Sequence, residues 1–390
     1  MPPHLLASFG SIPDNNHPSG RVVRRHLARF VDEGWQVTLA ADTDNATPAS
    51  TPPGCRLVPI PRRRCWYPPA RPAIPLSINL HNYLQARDAR HAFPDRRPDV
   101  VLAGSGHPHL GMACSFARNT RIPLHVIMHD WWPEFSDSRP AKAFAERLLG
   151  RVLPRASVVW TASNELSVTT NLHGATDART LAPIPDGLDA PDLAMPVSRI
   201  LHLVAPGSYA PSLAPVYAAL ADRLHCNGGC LTIVTNCPEV AARDLSSYRN
   251  ISIRPYFNQP KDLLAYARAE ATAFVVAQPQ PPAAHPWTLT SFPSKLVEVV
   301  HARLPVVIIA APSTSVGLWA AGHQWKSYAE ESSPPALDKV LTQLSSVDSW
   351  RQAAQQAGSV ADGEFDPDFI HAQLREGILA STRTLSPCTH

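Results

Sequence analysis

Short apolar runs and longer amphipathic segments alternate along the chain. In the first half the apolar runs stand at 4–9, 36–41, 56–60, 99–103, 123–128 and 157–161. Between them lie stretches of helical period, at 20–33, 76–92, 109–119, 141–152 and 164–173. In the first of these, Val22, Val23, Leu27 and Phe30 make one apolar face. Strands this apolar, separated by helices, predict a parallel sheet covered on both faces.

The rhythm then restarts. Apolar runs at 200–205, 230–235, 251–257, 271–277 and 305–311 alternate with helical segments near 213–224, 260–269, 292–302, 314–321 and 334–345. A helical tail is expected over 348–382. The pattern predicts an α/β chain of two doubly wound, Rossmann-like domains facing a cleft, with PIPDGLDAPDL (183–193) as the linker. The expected boundaries are 1–187, 188–365, and a C-terminal helix and tail over 366–390 that crosses back to the first domain. In sheets of this kind ligands bind outside the strand C-termini, so candidate chemistry is sought there.

Composition narrows the picture. At 390 residues the chain fits two domains, and its 44% hydrophobic content suffices for two cores. The 41 prolines fall mostly in short connections, which reads as stiff loops. A net charge of +3 is too mild to argue for nucleic acid by itself. The seven cysteines are odd in number and scattered, which favours a reducing cytoplasm over a disulfide framework. Cys226, Cys230 and Cys237 with His225 lack the second paired half of a structural zinc site. No run of 18 apolar residues and no leader pattern are found, so the expectation is a protein that does not span a membrane.

Several local patterns carry chemistry. Gly20 opens a helix after the first strand, where a glycine lets ligand approach the backbone and the helix amides attract phosphate; a turn glycine is the plainer reading. His129 and Asp130 end a strongly apolar strand in HDWWPEF (129–135), an arrangement that faces a ligand crevice, and two tryptophans beside them could wall a sugar. The plainer reading is a satisfied histidine among buried aromatics. In SFPSKLVEVVHA (291–302), Lys295 sits in the first turn of a helix, where a cation is disfavoured unless it meets an anion. Glu298 follows at i+3, so a surface ion pair is the alternative. Asp42-Thr43-Asp44 has the form of a metal-binding DxD but follows the second strand of a two-sheet chain and reads as a solvated loop. Residues 1–100 hold thirteen Arg, no Lys and eight acidic residues. Arg62, Arg63 and Arg64 stand beside Trp66 and Tyr67, a patch suited to an anionic lipid surface or a pyrophosphate-linked acceptor. Nucleic acid fits the same interleaving as a lesser alternative, and a solvated loop is the plain one.

The ordered set of segments 17–41, 99–135, 157–174, 183–189 and 291–312 resembles the retaining family 4 glycosyltransferases of the glycosyltransferase B architecture. That resemblance implies transfer of a sugar from a nucleoside diphosphate sugar to a hydroxyl acceptor: a glycan, a lipid-linked glycan or a small molecule. It implies that His129 and Asp130 carry catalysis, with His129 on the donor sugar. Gly20, Gly207, Ser208, Ser294 and Lys295 would serve the donor, and Glu298 would hold the ribose hydroxyls. No metal or other cofactor is implied, because helix amides and basic side chains stabilise the departing diphosphate. Two positions depart from the family pattern. Thr290 stands where a second glutamate is usual, and the loop APGSYAPSL (205–213) lacks the usual basic residues, for which Lys295 would substitute. A sugar-nucleotide 2-epimerase and a non-catalytic nucleotide-sugar-binding scaffold are the rival readings. A cytoplasmic location, peripheral at the inner membrane face, completes the expectation.

Overall fold

The computed structural model describes residues 2–10, 18–42, 51–60, 84–87, 89–90, 93, 96–105, 109–136, 138–186, 200–257 and 259–384. By contacts the chain divides into two compact units, Met1–Ile184 with Ile370–His390, and Pro185–Phe369.

The first unit is built on seven parallel strands. They are β1 (His4–Gly10), β2 (Gln36–Asp42), β3 (Arg56–Ile60), β4 (Val100–Gly104), β5 (Leu124–Met128), β6 (Val158–Thr161) and β7 (Ala178–Thr180). Their order across the sheet is β3-β2-β1-β4-β5-β6-β7. The described helices among them are α1 (Pro18–Asp32), α2 (His109–Thr120), α3 (Arg139–Val152) and α4 (Asn164–Leu172). Every residue of β5 is buried, as a central strand covered on both faces demands. Two hydrophobic clusters lie on the two faces, one centred on Leu102, Leu39 and Phe30, the other on Phe116, Leu110 and Met128. Serines set two helix starts: Ser138 Oγ accepts the Ala141 N–H at 3.3 Å, and Ser163 Oγ accepts that of Leu166 at 3.0 Å.

The second unit repeats the plan with six parallel strands. These are β8 (His202–Pro206), β9 (Cys230–Thr235), β10 (Ile251–Pro255), β11 (Ala273–Ala277), β12 (Val306–Ile309) and β13 (Tyr328–Ala329). Their order is β10-β9-β8-β11-β12-β13. Its helices are α5 (Ala214–Cys226), α6 (Pro238–Asp244), α7 (Pro260–Glu270), α8 (Ser294–Val299), α9 (Ser315–Gly322), α10 (Pro334–Ser345) and α11 (Val347–Ala361). In both sheets the strand order reverses beside the first strand of the unit, at β1/β4 and at β8/β11, which is where such sheets open a crevice for ligand. The last helix, α12 (Pro367–Thr384), belongs to the first unit, where Ile370, Leu374 and Ile378 are wholly buried on one face.

Several boundaries differ from the expectation. Helix α1 begins at Pro18, ahead of Gly20, because proline suits a first turn. The tail breaks into α11 and α12 instead of running on. Helix α8 begins at Ser294 with Pro293 just outside it, continues as a 3-10 turn over Val300–Ala302, and ends at Arg303 with φ 55°. Strands β7 and β13 and helix α6 escaped the hydrophobic pattern: β7 is three mostly exposed residues, β13 is two, and α6 is seven. Of the helix expected over 76–92, residues 84–87 and 89–90 are helical, and the rest lies outside the described residues.

Candidate functional site

In the second unit the chemistry gathers at the strand order reversal. Leu296, Val297 and Val299 are wholly buried and seat α8 against the sheet. That leaves Lys295 and Glu298, one turn apart, on its other face. The Lys295 ammonium donates to the carbonyl of Ala277, the last residue of β11, at 3.4 Å. Its aliphatic stem lies over Gly207, the first residue after β8. A Cβ built on Gly207 would stand 3.1 Å from Lys295 Cδ and 3.5 Å from Nζ. Gly207 also has φ +131°, a region that side chains avoid, so glycine serves twice here, for the backbone turn and for the lysine's passage.

No carboxylate lies within ion-pair distance of Lys295 among the described residues, and it does not pair with Glu298. One long hydrogen bond to a carbonyl is poor compensation for a buried ammonium. Burial alone pushes its pKa down to about 8. The residue as a whole is half-buried. Such a cation is energetically suited to receive an anion.

Glu298 is half-buried, and its Oε2 accepts the backbone N–H of Asp186 at 3.5 Å. Ser208, next to Gly207, lies 3.2 Å from the Tyr256 hydroxyl, which follows β10 and is exposed. Thr235, ending β9, accepts the Tyr209 N–H at 3.0 Å. Thus Gly207, Ser208 and Lys295 are brought together, while Glu298 stands one helical turn on, beside Asp186. Ser294 opens α8 and is half-buried. Tyr256 and the Ala277 carbonyl are not among the sequence candidates; Tyr256 directly follows the C-terminus of β10, where a search of the strand ends finds it.

In the first unit, His129 and Asp130 follow β5 directly and are half-buried. His129 Nε2 is enclosed and has no hydrogen-bond partner. Burial lowers the imidazole pKa, and the neighbouring Asp130 works against that shift. His129 is therefore held toward the neutral form. The two tryptophans beside it pack on neighbouring aromatic rings. Trp131 is buried and packs at 4.4 Å between ring centres on His173, and Trp132 packs edge-on against Phe144 at 6.0 Å. Both belong to the hydrophobic cluster on that face. Gly20 is the third residue of α1 and half-buried.

Arg62, Arg63, Arg64, Trp66 and Tyr67 lie outside the described residues, as does Asp44. Among the described residues no group of three or more His, Cys, Asp or Glu could hold a metal ion. Cys230 opens strand β9, as the sequence suggested, and its thiol is pushed up in pKa by burial. No described helix is long and apolar enough to cross a membrane.

Comparison with known proteins bears on the fold. Residues 19–187 match the family described as the glycosyl transferase 4-like domain. No curated protein matches the sequence. Among solved structures, sucrose-phosphate synthase from Thermosynechococcus elongatus superposes with TM-score 0.68 at 12% identity, covering 96% of this chain and 98% of that one. The E. coli trehalose-6-phosphate structure bound with UDP-2-fluoro glucose gives 0.65 at 10% identity, over 96% and 98%. An alpha,alpha-trehalose-phosphate synthase (UDP-forming) from Burkholderia vietnamiensis gives 0.65 at 9% identity, over 97% and 100%. These likenesses establish the glycosyltransferase B fold, and residues 19–187 are similar to the glycosyl transferase 4-like domain.

Proposed function

We propose that this chain is a glycosyltransferase that moves a sugar from a nucleoside diphosphate sugar to a hydroxyl acceptor, with retention of configuration, and that the second unit holds the donor. The observation that supports the reading most is Lys295: a buried ammonium with no carboxylate in ion-pair distance among the described residues, laid across a glycine where the strand order of the second sheet reverses. Phosphate oxygens would supply the charge-assisted bonds that the Ala277 carbonyl supplies poorly. As the bond from the sugar's anomeric carbon to the diphosphate breaks, negative charge grows on the leaving group. A fixed ammonium there favours the transition state over the ground state.

Glu298, with two carboxylate oxygens, is assigned to the ribose hydroxyls. His129, held neutral, is assigned to the donor sugar, where a neutral imidazole can donate or accept without placing full charge beside the reacting carbon. Gly20 is assigned to the donor phosphates through the first turn of α1. The family match favours transfer over the epimerase and scaffold alternatives. Chemistry of this kind needs no metal, and the acceptor is assigned to the first unit. Arg62, Arg63, Arg64, Trp66 and Tyr67 are assigned to an acceptor carrying pyrophosphate or lying at an anionic membrane face, in a cytoplasmic protein. Incubation with UDP-, GDP- and dTDP-sugars and a panel of hydroxyl acceptors tests the reading. Nucleoside diphosphate is released in step with a glycoside of the donor's anomeric configuration, and EDTA leaves the rate unchanged. An inverted product removes retention, and loss in EDTA restored by Mg²⁺ removes metal independence.

A further inference from the structure

Helix α12 is the last described element of the chain, and it is fastened to the first unit by buried imidazoles at both ends. Toward its C-terminal end, Ser381 Oγ donates to the Ile378 carbonyl at 2.8 Å, so toward His125 of β5 it can only accept. His125 Nε2 lies 2.7 Å from that oxygen. On the other side of the ring, the indole N–H of Trp160 donates to His125 Nδ1 at 3.1 Å. Indole nitrogen is a donor only. Both contacts are satisfied together by one state of His125, the neutral ring with its proton on Nε2. A proton added at Nδ1 would point N–H at N–H. Gly377 completes this end: a Cβ there would fall 2.4 Å from Trp160 Cζ2, so only glycine lets the helix lie flat on the indole.

Toward its N-terminal end, His371 Nδ1 lies 3.1 Å from Nδ1 of His26 on α1. His371 packs edge-on against Phe30 at 4.5 Å. Its Nε2 lies 3.5 Å from Glu33 Oε1, a carboxylate that also takes Arg375 at 2.9 Å. A neutral His371 that turns its N–H toward Glu33 offers a bare Nδ1, which makes His26 the donor. His26 is wholly buried. Each imidazole reaches charge only at a penalty. The groups facing His26 and His371 are Arg25, Arg29, Glu33 and His129 from the first unit's sheet and α1, and Arg375 from α12 itself. Those facing His125 are Arg179 and Asp177. Burial outweighs them, lowering His125 to about 3, His371 to about 4, and His26 well below its usual range.

We propose that His125, His26 and His371 form a proton-sensitive clasp that holds the C-terminal helix on the first unit and releases it as the medium acidifies. The helix stripe Ile370, Leu374 and Ile378 gives adhesion that ignores pH, and the imidazoles make that adhesion conditional. The sign follows from linkage. These rings have depressed pKa values when docked and about 6.5 when released, so docking is fully supported above about 6.5 and weakens as pH falls toward the docked values. Each ring should raise the opening constant of α12 roughly tenfold per pH unit in that window.

Hydrogen exchange of the intact chain, corrected for the intrinsic rate, tests the clasp between pH 7.5 and pH 5. Protection of residues 370–384 falls steeply with acid while that of β8–β12 does not. In His371→Asn, which keeps a polar group at the Nδ1 position but cannot titrate, and in His125→Gln, which keeps the donor to Ser381, the slope of opening against pH drops by about one tenfold step per unit each. The slope is the readout, so a variant that docks more weakly at neutral pH still reports. A wild-type helix whose protection is independent of pH overturns the clasp, as does an unchanged slope in both variants.

Discussion

The two units share one strand plan, β3-β2-β1-β4-β5-β6 in the first and β10-β9-β8-β11-β12-β13 in the second, yet they treat buried charge in opposite ways. In the first unit buried imidazoles are kept neutral, and three of them, His125, His26 and His371, are joined through α12. In the second unit the group at the sheet's reversal is an ammonium with one carbonyl at 3.4 Å and, among the described residues, no carboxylate within ion-pair distance. A neutral ring satisfied by a helix is structure. A buried cation that faces only a carbonyl is chemically suited to bind an anion, and burying it costs stability. The repeated fold therefore does not repeat the chemistry, and only the second unit's reversal offers a buried ammonium to the diphosphate among the described residues.

The sharpest way to break this comparison is to exchange the ammonium for an uncharged side chain. Lys295→Met should weaken nucleoside diphosphate binding by about 100-fold, the upper end of a hydrogen bond to a charged group at ~3 kcal/mol. The same variant should melt no lower than wild type, because an uncompensated buried charge has been removed. Calorimetry and thermal unfolding on one sample check both. A variant that binds normally, or one that unfolds well below wild type, assigns Lys295 to structure.

His129→Ala probes the other unit. Turnover should fall by roughly 100-fold, about 2.7 kcal/mol of transition-state stabilisation, with nucleotide affinity changed by less than about threefold. Steady-state kinetics beside nucleotide binding separates the two, and a matching loss in both would place the histidine on the nucleotide. Glu298→Ala should reverse that pattern at smaller size, with affinity for the nucleoside falling about tenfold and the bound complex turning over nearly as before. Comparing the ribonucleotide with its 2′-deoxy form sharpens the assignment, since the variant should no longer tell them apart.

The mildest expected effect is on pH. With Lys295 at about 8, the ammonium is lost as pH rises through that value, and diphosphate affinity should decline toward tenfold per unit above it. Bound phosphate holds the proton, so binding near pH 8.5 takes up protons, and buffers of different ionisation enthalpy report this as different apparent heats. Lys295→Met should show neither effect.

Much of this was legible in the sequence because the informative residues obey local rules. Apolar runs such as 123–128 and 305–311 had to be covered strands, and a lysine in the first turn of a helix is anomalous from sequence alone. The lysine's partner was not legible. Ala277 lies 18 residues away and offers a backbone carbonyl, and nothing in side-chain chemistry announces that. The ring contacts of the tryptophans after Asp130 were not legible for a related reason: an aromatic at a strand end fits a sugar wall and a core equally, and its packing on His173 or Phe144 is a contact between distant positions. The histidines of α1, β5 and α12 were invisible as a group, since His26 and His371 are 345 positions apart in the chain.

The central claim is that the second unit binds a nucleoside diphosphate sugar through Lys295. The most direct measurement is thermal stabilisation of wild type and Lys295→Met by UDP-, GDP- and dTDP-sugars across a concentration series. The account predicts that one nucleotide class stabilises wild type, by ~2.7 kcal/mol once ligand reaches about 100 times Kd, and that the variant at the same concentration gains less than half as much. Stabilisation of neither protein by any nucleotide sugar, or equal stabilisation of both, would contradict it.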